Sequence, residues 1–84
     1  MNVKILYFAG LREALGQSSE QLALPAQTGS VGQLHAHLVM RGGVWEALAK
    51  TKNLRVAVNQ QMAAMDAPVK DGDEIAFFPP VTGG

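Results

Sequence analysis

Cysteine is absent from the 84 residues, which excludes disulfides, zinc–thiolate sites and thiol catalysis by this chain. An excess of charge of either sign is missing too. Seven Lys and Arg balance seven Asp and Glu, so nothing reads as a nucleic-acid stripe or a polybasic membrane anchor. No apolar run nears the roughly 18 residues that a spanning helix needs. The opening Met1-Asn2-Val3-Lys4 lacks the basic start and long apolar run of a signal peptide. Aromatic residues make up only 6% of the chain, and neither repeats nor low-complexity segments occur. What is present is 48% hydrophobic residues, in a length that fits one domain. A small core is expected, because a chain of this size buries only about 60–65% of its extended surface. The expectation is a cytoplasmic domain with no nucleic-acid and no membrane partner.

Val3-Lys4-Ile5-Leu6-Tyr7-Phe8 reads as a first strand, with Val3, Ile5 and Tyr7 on the core face. Phe8 then falls on the wetter face. Ala9 to Leu15 reads as a short helix stopped by Gly16. Glu20 to Leu24 alternates weakly and ends at Pro25, a second strand. Ser30 is a good N-cap for a helix with Val31, Leu34 and Leu38 on one face, continued by Met40 or Arg41 and ended by Gly42-Gly43. Gly32 fits that helix poorly and blurs its start. Val44 to Leu48 suggests a further short turn or helix, with Trp45 and Leu48 packing inward. Leu54 to Val58 reads as a third strand, Asn59-Gln60 as a tight turn and Gln61 to Met65 as a weak return strand. Asp71-Gly72-Asp73 is turn chemistry before the last strand, Glu74 to Phe78, whose core face carries Ile75 and Phe77. The order of elements argues an α+β fold, one main helix packed on a mixed sheet.

Few residues suggest chemistry. His35 and His37 lie two apart on a helix, so they point to different sides, whereas a two-histidine metal site needs a spacing of three or four. They read as solvated or partly packed. Asp71, Asp73 and Glu74 lack the other ligands of a calcium loop and read as a polar turn. Gly42-Gly43 lies outside any phosphate-loop pattern and reads as a helix cap. No nucleophile–base pair and no carboxylate pair can be argued. Met62 and Met65 read as gap-filling packing.

The last residues differ. In Phe77-Phe78-Pro79-Pro80-Val81-Thr82-Gly83-Gly84, two prolines cannot donate to a sheet ladder, so the strand must stop there. They favour an extended arm, and β-branched Val81 and Thr82 extend it. Gly83 and Gly84 remove side chains where a narrow channel would clash. A carboxylate on Gly84 is the slim end of that arm. Activated as an acyl adenylate by another enzyme, it would accept a sulfur nucleophile and become a thiocarboxylate.

The run Asp71 to Gly84 closely resembles the C-terminal signature of the small-subunit family of molybdopterin synthase. Val3 to Ala9 with Arg12-Glu13, and Ala57-Val58-Asn59-Gln60, are similar to that family as well. The resemblance implies a ubiquitin-like β-grasp fold, with residues 1–78 as the domain and 79–84 as an extended tail. It implies a sulfur carrier whose Gly84 is adenylated by an activating enzyme using ATP and then converted to a thiocarboxylate by a sulfur-donor system. No cofactor would be bound by the chain alone. It further implies that Pro79, Pro80, Val81, Thr82 and Gly83 enter the active site of a large subunit, in a heterotetramer of two small and two large subunits. Sulfur would pass there to cyclic pyranopterin monophosphate. Strand parity adds an interface: Phe8 and Phe78 form one exposed patch if their strands are neighbours, with Met62 as a further candidate. Three other readings stand beside this one: a sulfur carrier for thiamine thiazole synthesis, a ubiquitin-like protein modifier, and a β-grasp interaction domain without a carrier role.

Overall fold

The first strand forms because β-branched and aromatic residues alternate with polar ones, and the alternation decides which side is covered. In the computed structural model, β1 spans Asn2–Tyr7, with Val3, Ile5 and Tyr7 buried and Lys4 exposed. The model describes residues 1–80, and positions 81–84 lie outside the described residues. Ala9 takes a positive φ of 54° and swings the chain into α1, Gly10–Leu15, which closes on left-handed Gly16. β2, Ser19–Ala23, returns antiparallel to β1 and places Glu20 and Leu22 on the core side.

The main helix, α2, spans Val31–Val39, and the Ser30 hydroxyl accepts from the Gln33 amide as the cap expectation requires. Val31, Leu34 and Leu38 are fully buried. Met40 does not extend this face: it is 85% exposed, because the helix ends at Val39 and the chain turns away at Gly42, whose φ is 73°. Gly32 has a positional reason that sequence could not supply. Its amide donates to the Met65 carbonyl at 2.7 Å, and a Cβ there would sit 3.2 Å from that oxygen. A 3-10 turn, Gly43–Glu46, runs into α3, Ala47–Lys50, and buries Leu48.

β3 spans Arg55–Val58, one residue shorter than expected, with Leu54 packed on the core just before it. Asn59 and Gln60 both have positive φ, 50° and 70°, the geometry of a tight hairpin turn. β4 is only Gln61–Ala63. It stops short of Met65 because the chain there turns to meet the helix start, where Met65 accepts from Gly32 and Ala67 from Val31. β5 is Glu74–Phe78, with Ile75 and Phe77 completely buried.

The five strands form one mixed sheet in the order β2-β1-β5-β3-β4. β1 and β5 are parallel, and the other pairs are antiparallel. This is the β-grasp arrangement. One face of the sheet, through Val3, Ile5, Tyr7, Val56, Ile75 and Phe77, packs on Leu11, Val31, Leu34, Leu38 and Leu48. Among the described residues, no helix lies over the other face.

Candidate functional site

The uncovered face is where the candidate side chains meet. Registers across the sheet set Leu6 opposite Ala76, Ala76 opposite Ala57, and Ala57 opposite Met62. These four residues make an apolar row crossing β1, β5, β3 and β4. The next row holds Phe8, Phe78 and Arg55. The Phe8 amide donates to the Phe77 carbonyl at 3.2 Å, continuing the parallel ladder, and Arg55 stands opposite Phe78. Phe8 is 46% exposed and Met62 56% exposed, while Phe78 is half-buried. β1 and β5 are direct neighbours, the condition set for Phe8 and Phe78 to share a patch, and the two residues fall in one row at the same end of the face.

Met62 lies on the same face but three strands from Phe8, some 14 Å away at the usual strand spacing. It reaches the aromatic end only through two alanines. The gap-filling reading of Met62 and Met65 does not hold. β4 is the sheet edge and small Ala57 stands beside Met62, so nothing bulky closes over the thioether, and Met65 is 37% exposed. Leu6, Ala57 and Ala76 complete the band, although sequence reasoning left them out of it. Parity alone put Leu6 with Phe8 and Ala76 with Phe78. Only the register joins them into a row.

The band sits on a stiff support. On the core side, Tyr7 stacks on Phe77 with ring centroids 6.5 Å apart and meets the edge of Trp45 at 5.6 Å. The Tyr7 hydroxyl donates to Glu20 Oε2 at 2.9 Å. Arg41 donates to both Glu20 oxygens, at 2.9 and 2.8 Å, and lies 4.4 Å over the Trp45 ring. Arg41 hydrogen bonding holds the Glu20 carboxyl below its ordinary range. Burial, reinforced by Glu20, pushes the Tyr7 phenol well above its ordinary value. Tyr7 therefore stays a neutral donor and Glu20 an ionised acceptor at neutral pH. An inward carboxylate on edge strand β2 also discourages pairing with a foreign strand. His35 packs against the same core: its Nε2 lies 2.9 Å from the Leu48 carbonyl and its ring 6.1 Å from Phe77. His37 is exposed.

Pro79 and Pro80 follow β5 outside the sheet, and both are half-buried. They leave from the aromatic end of the exposed face, next to Phe78. Val81, Thr82, Gly83 and Gly84, the remaining tail residues singled out by sequence, lie outside the described residues. Among the described residues no pocket indents the surface, no three His, Asp or Glu side chains gather as a metal site, and no helix is long and apolar enough to cross a membrane. The arrangement suits contact with a macromolecule: a pocketless, partly apolar face with Pro79 and Pro80 at its rim.

Comparison with known proteins adds to this geometry. The sequence model of the ThiS family matches residues 5–84. The molybdopterin synthase sulfur carrier subunit of Escherichia coli (strain K12) is 40% identical over 82 residues, covering 98% of this chain and 99% of that protein. Among solved structures, SAMP1 of Haloferax volcanii, a small archaeal modifier protein, superposes with a TM-score of 0.81 at 26% identity, covering all of both chains. A protein described as putative molybdopterin converting factor, subunit 1, from Pyrococcus furiosus gives 0.80 at 29% identity, covering 96% of this chain and 99% of its own.

Proposed function

Since the chain belongs to the ThiS family, we propose that it is the sulfur-carrier subunit of a molybdopterin synthase. The observation that carries this reading is the 40% identity to a protein of that description along 98% of the chain. The Phe77 to Gly84 run supports it over the thiamine thiazole alternative.

In this reading the Gly84 carboxylate attacks the α-phosphate of ATP on an activating enzyme, releasing pyrophosphate and leaving an acyl adenylate. A sulfur nucleophile from a donor system adds to the carbonyl and expels AMP, so oxygen is exchanged for sulfur and a thiocarboxylate remains. The thiocarboxylate then delivers its sulfur to cyclic pyranopterin monophosphate within a large subunit. Two such transfers complete the dithiolene, in a heterotetramer of two small and two large subunits. Residues 79–84 act as the arm, which can reach up to about 20 Å when extended. Phe8, Phe78 and Met62 act as the docking face, and the half-buried prolines fix the direction in which the arm departs. The site of action is the cytoplasm.

Intact mass spectrometry tests the carrier chemistry. Incubation with activating enzyme, ATP and a sulfur donor is expected to add about 16 Da, oxygen replaced by sulfur. An unchanged mass refutes it. A second reading, a protein modifier, is favoured by the likeness to SAMP1. It predicts conjugates through lysine amines after the same activation, and their absence from a lysate digest removes it.

A further inference from the structure

The charges on the exposed sheet face are unevenly distributed. At one end Lys4 and Glu74 stand opposite each other in register on β1 and β5, so that end carries one charge of each sign. At the other end, in the row of the two phenylalanines, stands Arg55, exposed and opposite Phe78. Among the described residues the one ion pair is Arg41 with Glu20, on the core side of the sheet, and no described carboxylate lies within ion-pair distance of Arg55. Ala57 and Ala76 separate it from Glu74 along the strands. The face thus offers a partner an apolar band, one charge of each sign at one end and, at the other, a cation that no described carboxylate pairs with.

Covering Phe8 and Phe78 covers Arg55 with them, because all three occupy one row. A guanidinium moved into a water-excluded contact without a counter-charge is strongly unfavourable, and truncating one member of such a pair leaves the other stranded. A guanidinium also keeps its charge at any working pH and matches a carboxylate through two parallel hydrogen bonds, which a point-charge ammonium does not. We propose that Arg55 is a specificity-determining residue of this face, and that the partner docking here presents an Asp or Glu carboxylate opposite it within an otherwise apolar surface. The inference rests on the docking-face reading given above and deepens it: the apolar band supplies contact area, and Arg55 selects which apolar surfaces are accepted. It also fixes orientation, since a carboxylate at one end of the band allows only one way round.

The test is calorimetric titration of the full chain into the molybdopterin synthase large subunit at low and high salt, with Arg55→Gln, Arg55→Glu, Arg55→Lys and Phe78→Ala. Circular dichroism confirms that each variant is folded. Arg55→Gln is expected to weaken binding by about 10-fold and Arg55→Glu by about 100-fold. Arg55→Lys should fall between wild type and Arg55→Gln, and the salt dependence of wild-type binding should flatten in Arg55→Gln. A charge-reversed Asp or Glu of the large subunit that restores Arg55→Glu would identify the partner carboxylate. Arg55→Glu binding within twofold of wild type, while Phe78→Ala binds weakly, overturns the role of Arg55 and leaves the docking face standing. Wild-type affinity in both variants overturns the docking face itself.

Discussion

Phe77 and Phe8 are joined by a backbone hydrogen bond across the β1–β5 ladder, yet they sit on opposite sides of the sheet. Replacing each with alanine should separate stability from recognition. Phe77 is completely buried, stacked on Tyr7 and packed against His35. Removing a ring that covers about 200 Å² forfeits up to about 5 kcal/mol by area, and cavity-forming substitutions of this kind cost about 3–5 kcal/mol. A domain of this length has about 4–13 kcal/mol in total, so Phe77→Ala should be barely folded, with Tm lowered by about 12–40 °C. Phe8 leaves no enclosed cavity when truncated, and about 1–2 kcal/mol is expected from its covered part. Its 46% exposed share, about 90 Å², is what a partner can cover, which amounts to about 2 kcal/mol or roughly 30-fold in Kd. Urea unfolding followed by the fluorescence of Trp45, whose ring meets Tyr7 at 5.6 Å, reads the first quantity, and titration into the large subunit reads the second. Wild-type affinity in Phe8→Ala, or a larger stability loss there than in Phe77→Ala, refutes the division of the sheet into a structural face and a recognition face.

Glu20→Gln should flatten the acid limb of stability. Arg41 holds the folded carboxyl below its ordinary value, so its contribution is full above that ordinary value and is lost as pH falls through the lower folded one. Acid titration of the Trp45 signal checks this, and an unchanged limb overturns it. Gly32→Ala should bring none of the usual gain of about 1 kcal/mol, because its Cβ crowds the Met65 carbonyl, and a Tm rise of several degrees would contradict the close approach. Ala9→Gly should raise stability by about 1 kcal/mol by relieving the positive φ of 54°, and a lowered urea midpoint would contradict that. Deleting Gly84 should abolish the mass gain after activation while leaving the circular dichroism spectrum unchanged, and an unfolded deletion variant would overturn that separation.

The parts of the fold legible in the sequence were those set by neighbours along the chain. Alternation gave both faces of β1 and β5, Ser30 gave the cap of α2, and Asn59-Gln60 gave the hairpin turn, because each depends on residues within one turn or strand. What was hidden was set by partners distant in sequence. Glu20 and Arg41 are 21 residues apart, and nothing local in either marks a bidentate pair that also holds Tyr7. Gly32 looked like a defect of the helix until the Met65 carbonyl stood beside it. The site shows the same limit. Phe8 and Phe78 were found by parity, but Ala57 and Ala76 carry no local signal, and their place between Leu6 and Met62 depends on strand register alone.

The topology explains how one small chain could carry both of the proposed roles, docking and delivery. The helices all pack on one face, and that single layer supplies the whole core. The opposite face is therefore free to be chosen for contact, and residues two apart on a strand share it without entering the core. Glu74 and Phe78 lie at its two ends on β5 with Ala76 between them, so one strand carries a charged end, a small apolar middle and an aromatic end that leads directly into Pro79. A partner that grips the aromatic end therefore also fixes the line along which the chain leaves the sheet. In the proposed reading, docking and delivery are coupled by sequence adjacency, with no need for a moving part in the body. That coupling makes insertion of one residue between Phe78 and Pro79 the sharpest test of the reading. The core, bounded by Phe77, should be untouched and the thermal midpoint unchanged. Affinity for the large subunit should change little, and sulfur delivery should fall by an order of magnitude or more, since misplacement by about 3 Å is enough to lose a near-attack geometry. Full transfer from the insertion variant would show that the tail finds its position independently of the face that docks it.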